Sequence, residues 1–181
     1  MHHCRKPQKR KDDLRPRRCA RRDRKEPDMA ILNLVYEGDP MLRRVSRPVT
    51  EITPRILQLL DDMTETMRHH NGCGLAAVQV GVLRRVVVVE VEPGTVYELI
   101  NPRIVAWTGG QEETEGCLSL PGKWGKTHRP AAVTVRALDR NGKEIELRGD
   151  DLLCRAFCHE IDHLDGKLFT DVLVGELHSA E

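Results

Sequence analysis

The sequence predicts an α+β fold in which mainly antiparallel sheets pack around a central helix with an HExxH motif, and one further helix lies nearer the N-terminus. Helix-type periodicity occurs twice, from Pro54 to about His70 and between Asp150 and Gly166. The segment between these helices contains four runs with the composition of strands. Strands clustered between two helices are typical of α+β domains.

The first predicted helix has start and stop signals at its ends. Thr53 suits the N-cap and Pro54 the first turn, while Asn71-Gly72 suits the end of the helix. Its apolar face carries Ile56, Leu60, Met63 and Met67. This pattern predicts an amphipathic helix.

Four segments after that helix have the composition of strands. They are 85–91, 97–105, 131–138 and 143–147. The last two flank Asp139-Arg140-Asn141-Gly142, a strong hairpin signal, so we expect them to pair antiparallel. Residues 107–114 are expected to be rich in turns.

The most informative segment is His159-Glu160-Ile161-Asp162-His163 in the second helix. Residues four apart lie on one helical face, so both imidazoles can point at one metal ion. Glu160 is placed to take a proton from a water molecule at that ion. The segment therefore indicates a metal-dependent hydrolase, with a pair of hydrogen-bonded core histidines as the alternative.

Two stripes of residues run along this second helix. The first consists of Leu152, Ala156, His159 and His163, and the second of Leu153, Phe157, Ile161 and Leu164. Asp150 and Asp151 suit the helix start, and Asp165-Gly166 suits its end. We expect this helix to be buried on most sides, with its apolar stripe packed on the sheet.

A catalytic site of this type needs a third protein ligand. Downstream of Gly166, no second Glu or His lies at the distance that zinc peptidases of the HExxH class often use. Upstream, Cys117 in the segment Glu115-Gly116-Cys117-Leu118-Ser119 offers a thiolate. The alternative for that cysteine is a small buried apolar residue.

The segment from Asn71 to Gln79 combines glycines with an amide side chain. Gly72 and Gly74 allow a ligand to approach the backbone closely. The amide N–H of Gln79 is able to stabilise a developing oxyanion. The alternative for this segment is a simple turn after a helix.

These three segments, in this order, resemble the signatures of the peptide deformylase family. They are GCGLAAVQ at 72–79, EGCLS at 115–119 and HEIDH at 159–163. The resemblance covers about residues 29–175, and no signature residue is missing. It implies removal of the N-formyl group from the initiator methionine of new polypeptides, with release of formate. Two rival classes are another HExxH metallohydrolase, such as a peptidase, and a non-catalytic metal-binding protein.

The resemblance also implies a role for each signature residue. The metal ligands are Cys117, His159 and His163. Glu160 acts as general base and then as acid, while the Gln79 side chain and the Leu118 backbone N–H stabilise the oxyanion. Gly72 and Gly74 lie along the substrate backbone. One thiolate and two imidazoles accept Fe²⁺, Zn²⁺, Ni²⁺ or Co²⁺, and the resemblance implies Fe²⁺ in the cell.

The methionine side chain of such a substrate requires an apolar pocket. Leu152 and Ala156 are expected to form part of its wall. Cys73 stands where the family often has a branched aliphatic residue, so it alters that pocket slightly. Cys158 stands where glutamine is common, and helical geometry predicts that it faces away from the metal.

Charge is distributed unevenly along the 181 residues. Residues 1–28 carry 12 Lys/Arg and 5 Asp/Glu, whereas the remainder carries 17 and 23. This basic leader has almost no large apolar residue beyond Leu14, so we expect it to be disordered and without a catalytic role. We expect Met29 to be the functional start, 29–175 to form the catalytic domain and 176–181 a short tail.

The expected partners are the formyl-Met N-termini of nascent polypeptides, with the ribosome nearby. The mildly acidic body offers no general case for nucleic-acid binding. A thiolate ligand needs a reducing compartment, and no stretch is long and apolar enough to span a membrane. We therefore expect a cytoplasmic protein, and a monomer because no surplus amphipathic surface is evident.

Overall fold

A computed structural model describes residues 29–180, and the predicted leader 1–28 lies outside the described residues. Helix α1 is Pro54–His69 and helix α2 is Asp151–Leu164. The strands in this range are β1 Gly74–Ala76, β2 Val86–Glu92, β3 Thr95–Thr108, β4 Gln111–Cys117, β5 Leu120–Arg129, β6 Ala132–Leu138, β7 Glu144–Asp150 and β8 Leu173–Ser179. The α+β class and the two predicted helices are confirmed. Neither described helix has the length and apolarity needed to cross a membrane.

The larger sheet has five strands in the order β1-β2-β3-β6-β7, and each neighbouring pair is antiparallel. The four predicted strands correspond to β2, β3, β6 and β7, with ends shifted by no more than 3 residues. The register of β3 shifts around Pro102, which has no N–H to donate to the ladder. The predicted hairpin turn is present, because Asp139 Oδ1 accepts the backbone N–H groups of Asn141 and Lys143 at 2.9 Å each.

The smaller sheet, in the order β4-β5-β8, is missing from the sequence prediction. The stretch 107–114 contains the end of β3, a turn at Gly109-Gly110 and the start of β4, so it is not rich in turns. Since β4 begins with Gln-Glu-Glu-Thr, it lacks the apolar alternation that indicates a strand. The structure also corrects the predicted tail 176–181, because β8 continues to Ser179 and places His178 opposite Trp124 of β5.

Each helix covers one face of the larger sheet, so β2 is buried on both sides. Val87 and Val89 pack in one apolar cluster with α2, whereas Val86 and Val88 pack in another with α1. Successive side chains of a strand point to opposite faces, and an unbroken run of valines therefore fills both clusters. The α2 residues in the first cluster are Cys154, Ala156, Phe157, Cys158, Ile161 and Leu164. This packing holds α2 in a fixed position on the sheet.

The helices begin and end where the sequence predicts, but the predicted N-cap hydrogen bonds are not formed. Thr53 and Asp150 have the extended backbone of N-cap residues, but neither side chain makes a capping hydrogen bond. Gly166 takes a left-handed φ of +74° just after α2. A Cβ on this glycine would lie 2.5 Å from the carbonyl oxygen of Arg43. Both conformation and space therefore require glycine at position 166.

Gly166→Ala is expected to lower the free energy of unfolding by about 2–4 kcal/mol. The positive φ costs an alanine about 1 kcal/mol, and forcing a methyl group against backbone adds about 1–3 kcal/mol. Gly94→Ala is the matched control, because Gly94 also has a positive φ of +87° but nothing lies within 4 Å of an added Cβ. Urea unfolding followed by circular dichroism measures both variants. Equal losses would mean that the contact with Arg43 does not matter.

Candidate metal centre and active-site cleft

Three of the predicted ligands converge at one point. Cys117 Sγ lies 3.2 Å from His163 Nε2, which lies 3.2 Å from His159 Nε2. The two histidines are one helical turn apart on α2, as their spacing predicts. Cys117 is the last residue of β4, where the hairpin to β5 is so tight that Cys117 pairs with Leu120. The hairpin thus brings a sulfur from the smaller sheet onto the helix held by the larger one.

The positions of these donor atoms fit a metal ion. Sγ and the two ring nitrogens all lie within 4.8 Å of one another. Two nitrogens that bind a tetrahedral ion at about 2.0–2.1 Å would be about 3.3 Å apart, close to the separation here. One thiolate and two imidazoles also form a donor set for Fe²⁺, Co²⁺, Ni²⁺ and Zn²⁺. Geometry and chemistry therefore agree on a three-ligand site.

The orientation of His159 is fixed by a buried ion pair. Its Nδ1 donates to Glu115 Oε2 at 2.8 Å, which turns Nε2 toward Cys117 and His163. Arg129 donates to both Glu115 oxygens, at 2.8 and 3.2 Å, and to Asp162 of α2. Burial acts to raise the pKa of Glu115, but the hydrogen bonds from His159 and Arg129 outweigh it and lower that pKa to about 2. Glu115 is therefore ionised at any pH at which the enzyme would work.

Glu160 lies next to this centre in a dry environment. Burial raises the pKa of its carboxyl group to about 7. Its Oε2 is buried and finds no hydrogen-bond partner within residues 29–180. A buried, unpartnered carboxylate oxygen needs a ligand such as water or substrate to satisfy it. The arrangement suits a group that exchanges a proton with a bound molecule near neutral pH.

Gly74 provides the space that the Glu160 carboxylate occupies. A Cβ at position 74 would lie 2.9 Å from Glu160 Cδ and closer still to Oε1. A Cβ at Gly72 would instead meet the end of the Leu118 side chain at 2.7 Å. A larger residue at position 74 would therefore displace the Glu160 carboxylate, whereas a larger residue at position 72 would displace the Leu118 side chain.

Gln79 is buried behind the thiolate, with both ends of its amide group in use. Its Oε1 accepts the backbone N–H of Ala76 at 2.8 Å, which fixes the orientation of the amide. Nε2 points toward Ser119 Oγ at 3.2 Å and Cys117 Sγ at 3.5 Å. Leu118 follows Cys117 in the hairpin and lines the same cleft. A polar N–H is thus held beside Cys117, one of the three candidate metal ligands.

A cleft of about 580 Å³ opens onto these groups. Seven of the eight predicted site residues line it, namely Gly72, Gly74, Gln79, Cys117, Leu118, His159 and Glu160. The eighth, His163, is buried beneath them, and burial lowers its pKa well below the usual value, which favours the neutral form that binds metals. Leu152, Ala156 and Cys73, which the sequence assigns to the pocket for the methionine side chain, also line the cleft. Cys158 faces the apolar cluster under α2, as predicted.

Sequence reasoning missed the groups that hold His159. Glu115 lies in a segment that drew attention for its cysteine, but a lone glutamate gives no sign that it will be buried against a histidine. Arg129 is 14 residues away from Glu115, and its signal, a basic residue at the end of a polar strand, is common on protein surfaces. Only the pairing of β4 with β5 brings the two together.

The site and the fold together define a class of protein. An HExxH helix that meets a thiolate in a water-accessible cleft, with an unpaired glutamate beside it, is the arrangement of a metal-dependent hydrolase. Residues 31–177 match the family model described as polypeptide deformylase.

Similar proteins agree with that match. The peptide deformylase of Alkaliphilus metalliredigens is 55% identical over 148 residues, which are 82% of this chain and 100% of the relative. That of Acetivibrio thermocellus is 56% identical over 81% of this chain and 85% of its own. The crystal structure of the Legionella pneumophila peptide deformylase superposes with a TM-score of 0.78 at 41% identity, covering 80% of this chain and 87% of that one. A Synechococcus elongatus peptide deformylase in complex with actinonin gives 0.77 at 39%, covering 80% and 79%.

The chain belongs to the polypeptide deformylase family. The resemblance predicted from the three signatures is confirmed, and so is the enzyme class, a hydrolase that removes the formyl group from polypeptides.

Glu115→Gln is expected to weaken metal binding by about 10–100-fold, because the amide no longer accepts the His159 N–H as a carboxylate does. Glu113→Gln is the matched control, since it removes the same charge from an exposed position two residues earlier in β4. Competition for Co²⁺ against a chromophoric chelator measures both affinities. The role assigned to Glu115 fails if both variants bind Co²⁺ as tightly as the unaltered protein.

Proposed function

We propose that the chain removes the formyl group from the initiator methionine of nascent polypeptides with one divalent metal ion held by Cys117, His159 and His163. The observation that carries this proposal is the meeting of Sγ and two Nε2 atoms beside a buried carboxylate with an unsatisfied oxygen. We further propose Fe²⁺ as the ion in the cell, with Zn²⁺, Ni²⁺ and Co²⁺ as substitutes that the same donors accept.

The difficulty of the reaction is that a formyl amide is a poor electrophile and water a poor nucleophile. A bound divalent ion supplies Lewis acidity, which makes water nucleophilic near neutral pH. Glu160 takes the proton of the attacking water as the new C–O bond forms, and then returns a proton to the leaving nitrogen. A pKa raised to about 7 by burial suits a group that must both accept and donate.

The developing oxyanion requires fixed donors. The Gln79 amide, held by Ala76, and the backbone N–H of Leu118 are proposed to fill this role. Because the Ala76 N–H already holds the Gln79 amide in place, Nε2 only has to exchange its long contact with Cys117 Sγ for one with the oxyanion. Loss of one such donor costs about 3 kcal/mol of barrier in comparable sites.

The substrate is proposed to run along the glycine-rich edge of β1. Because Gly72 and Gly74 have no side chains, the substrate backbone is able to approach the protein backbone closely there. Leu152 and Ala156 form part of the apolar pocket for the methionine side chain. Leu152 is 44% exposed, so an apolar side chain in the cleft would cover it.

Glu160→Ala is expected to reduce formate release from a formyl-Met peptide by at least about 10³-fold, since no other group takes the proton. Metal content is expected to stay unchanged, because the three ligands remain. Anaerobic assays with metal analysis of the same samples test both statements. An unformylated peptide assayed in parallel separates a deformylase from a peptidase of the HExxH class. Activity that survives the substitution would remove Glu160 from the mechanism.

We also propose that Met29 is the functional start. We propose further that the enzyme is a monomer in the cytoplasm, where conditions are reducing and where it meets nascent chains near the ribosome. The family match begins at residue 31, which supports the first of these statements. A chain that starts at Met29 is expected to keep kcat/KM within about twofold of the full chain, because all of the proposed catalytic and metal-binding residues lie within the family match, which begins at residue 31. A loss of tenfold or more on a short formyl-Met peptide would give the leader a role in catalysis.

A further inference from the structure

We propose that Arg155 makes this enzyme favour substrates with acidic residues just after the formylated methionine and disfavour those with basic residues there. The inference rests on the proposed function, because it concerns the polypeptide that enters the same cleft. It follows from where the Arg155 guanidinium is held and from the absence, among residues 29–180, of a carboxylate within 4 Å of it.

Arg155 belongs to the wall of the cleft. It lies one turn of α2 before the metal ligand His159 and three residues after the half-exposed Leu152. All three residues line the cleft, so this face of the helix runs from the metal toward the mouth. Arg155 therefore stands on the path of whatever extends outward from the reacting group.

The guanidinium is fixed by a neutral partner. Arg155 Nη1 donates to Gln111 Oε1 at 2.6 Å. The amide of Gln111 is itself held, because its Nε2 donates to the carbonyl oxygens of Pro130 at 2.7 Å and Asp151 at 3.2 Å. An amide oxygen orients the arginine without cancelling its charge. The contact with Gln111 therefore fixes the Arg155 guanidinium in position and leaves its positive charge unneutralised.

The other charged groups of the cleft are already paired or buried. Lys123 forms an ion pair with Glu37, and Glu115 is bound by Arg129 and His159. By contrast, no carboxylate between residues 29 and 180 lies within 4 Å of the Arg155 guanidinium. Arg155 is consequently a positive charge in the cleft wall that has no ion-pair partner within 4 Å among these residues.

The field of Arg155 reaches the opposite wall. Burial and then the charge of Glu160 raise the pKa of the Cys73 thiol, and the charge of Arg155 is the smallest of the effects that act against that shift. Cys73 stands between the two glycines along which the substrate is proposed to run. A peptide lying between Arg155 and Cys73 would experience at least as much of this field.

Distances place the affected residues just after the methionine. One turn of helix rises about 5.4 Å from His159 to the level of Arg155. For a peptide that extends from the metal ligands along α2 toward the mouth, at about 3.3–3.4 Å per residue, this rise corresponds to the first or second residue after methionine. Charge pairs at partly exposed sites change affinity by up to about fivefold. Attraction of an acidic substrate residue and repulsion of a basic one together predict about a tenfold difference in kcat/KM between the two kinds of peptide.

The experiment compares kcat/KM for three amidated peptides, formyl-Met-Ala-Ser, formyl-Met-Asp-Ser and formyl-Met-Lys-Ser. The unaltered enzyme is expected to favour Asp over Lys by about tenfold at low salt, and by much less in 0.5 M NaCl, where screening is strong. Arg155→Met is expected to bring the Asp/Lys ratio to within about twofold of one, and Arg155→Lys to keep most of it. Arg148→Met, which removes one charge from an exposed site outside the cleft, is expected to leave the ratio unchanged.

The outcomes separate this inference from the proposed function. If no peptide releases formate, the proposed function fails. If all three release formate but the unaltered enzyme shows no preference, or if Arg155→Met keeps the preference, the assignment to Arg155 is wrong. A ratio lost equally in Arg148→Met would also overturn it, since the effect would then come from net charge.

Discussion

The active site depends on one buried contact, the pairing of the Glu115 carboxylate with Arg129 and His159. Burying these charges costs desolvation energy, and a buried ion pair of this kind is weak evidence for stability. The contribution of this contact is to hold the surrounding elements in a fixed arrangement. Arg129 also reaches Asp162, so one guanidinium joins β4, β5 and α2 at the level of the metal ligands. This contact fixes the ring of His159 relative to a thiolate on a different sheet.

The two sheets position different residues of the site. The larger sheet, in which β2 is buried on both faces, keeps α2 in place, with the His159, Glu160 and His163 side chains on one helix. The smaller sheet is polar and partly exposed, and it delivers Cys117 through a tight hairpin. The cleft lies where they meet. Enzymes often place functional groups on loops and element ends that a rigid scaffold positions, and here the scaffold is a helix packed on valines.

The sequence predicts the buried half of this fold better than the exposed half. The run of valines in β2 and the amphipathic face of α1 carry strong periodic signals, because burial on a regular element imposes them. β4 and β8 are polar edge strands, and their stability comes from backbone pairing with β5, which leaves little trace in side-chain order. The site residues were predictable because their chemistry restricts residue type and spacing. Arg129 was not, since its partner Glu115 is fixed only by strand pairing.

Gly74 has a consequence for how this enzyme can change. The Glu160 carboxylate stands in the volume that any side chain at position 74 would fill. A variant cannot gain a larger residue there without displacing the Glu160 carboxylate. Evolutionary adaptation of the pocket is thereby diverted to neighbours such as Cys73, where the cleft wall can vary while the reacting groups keep their places.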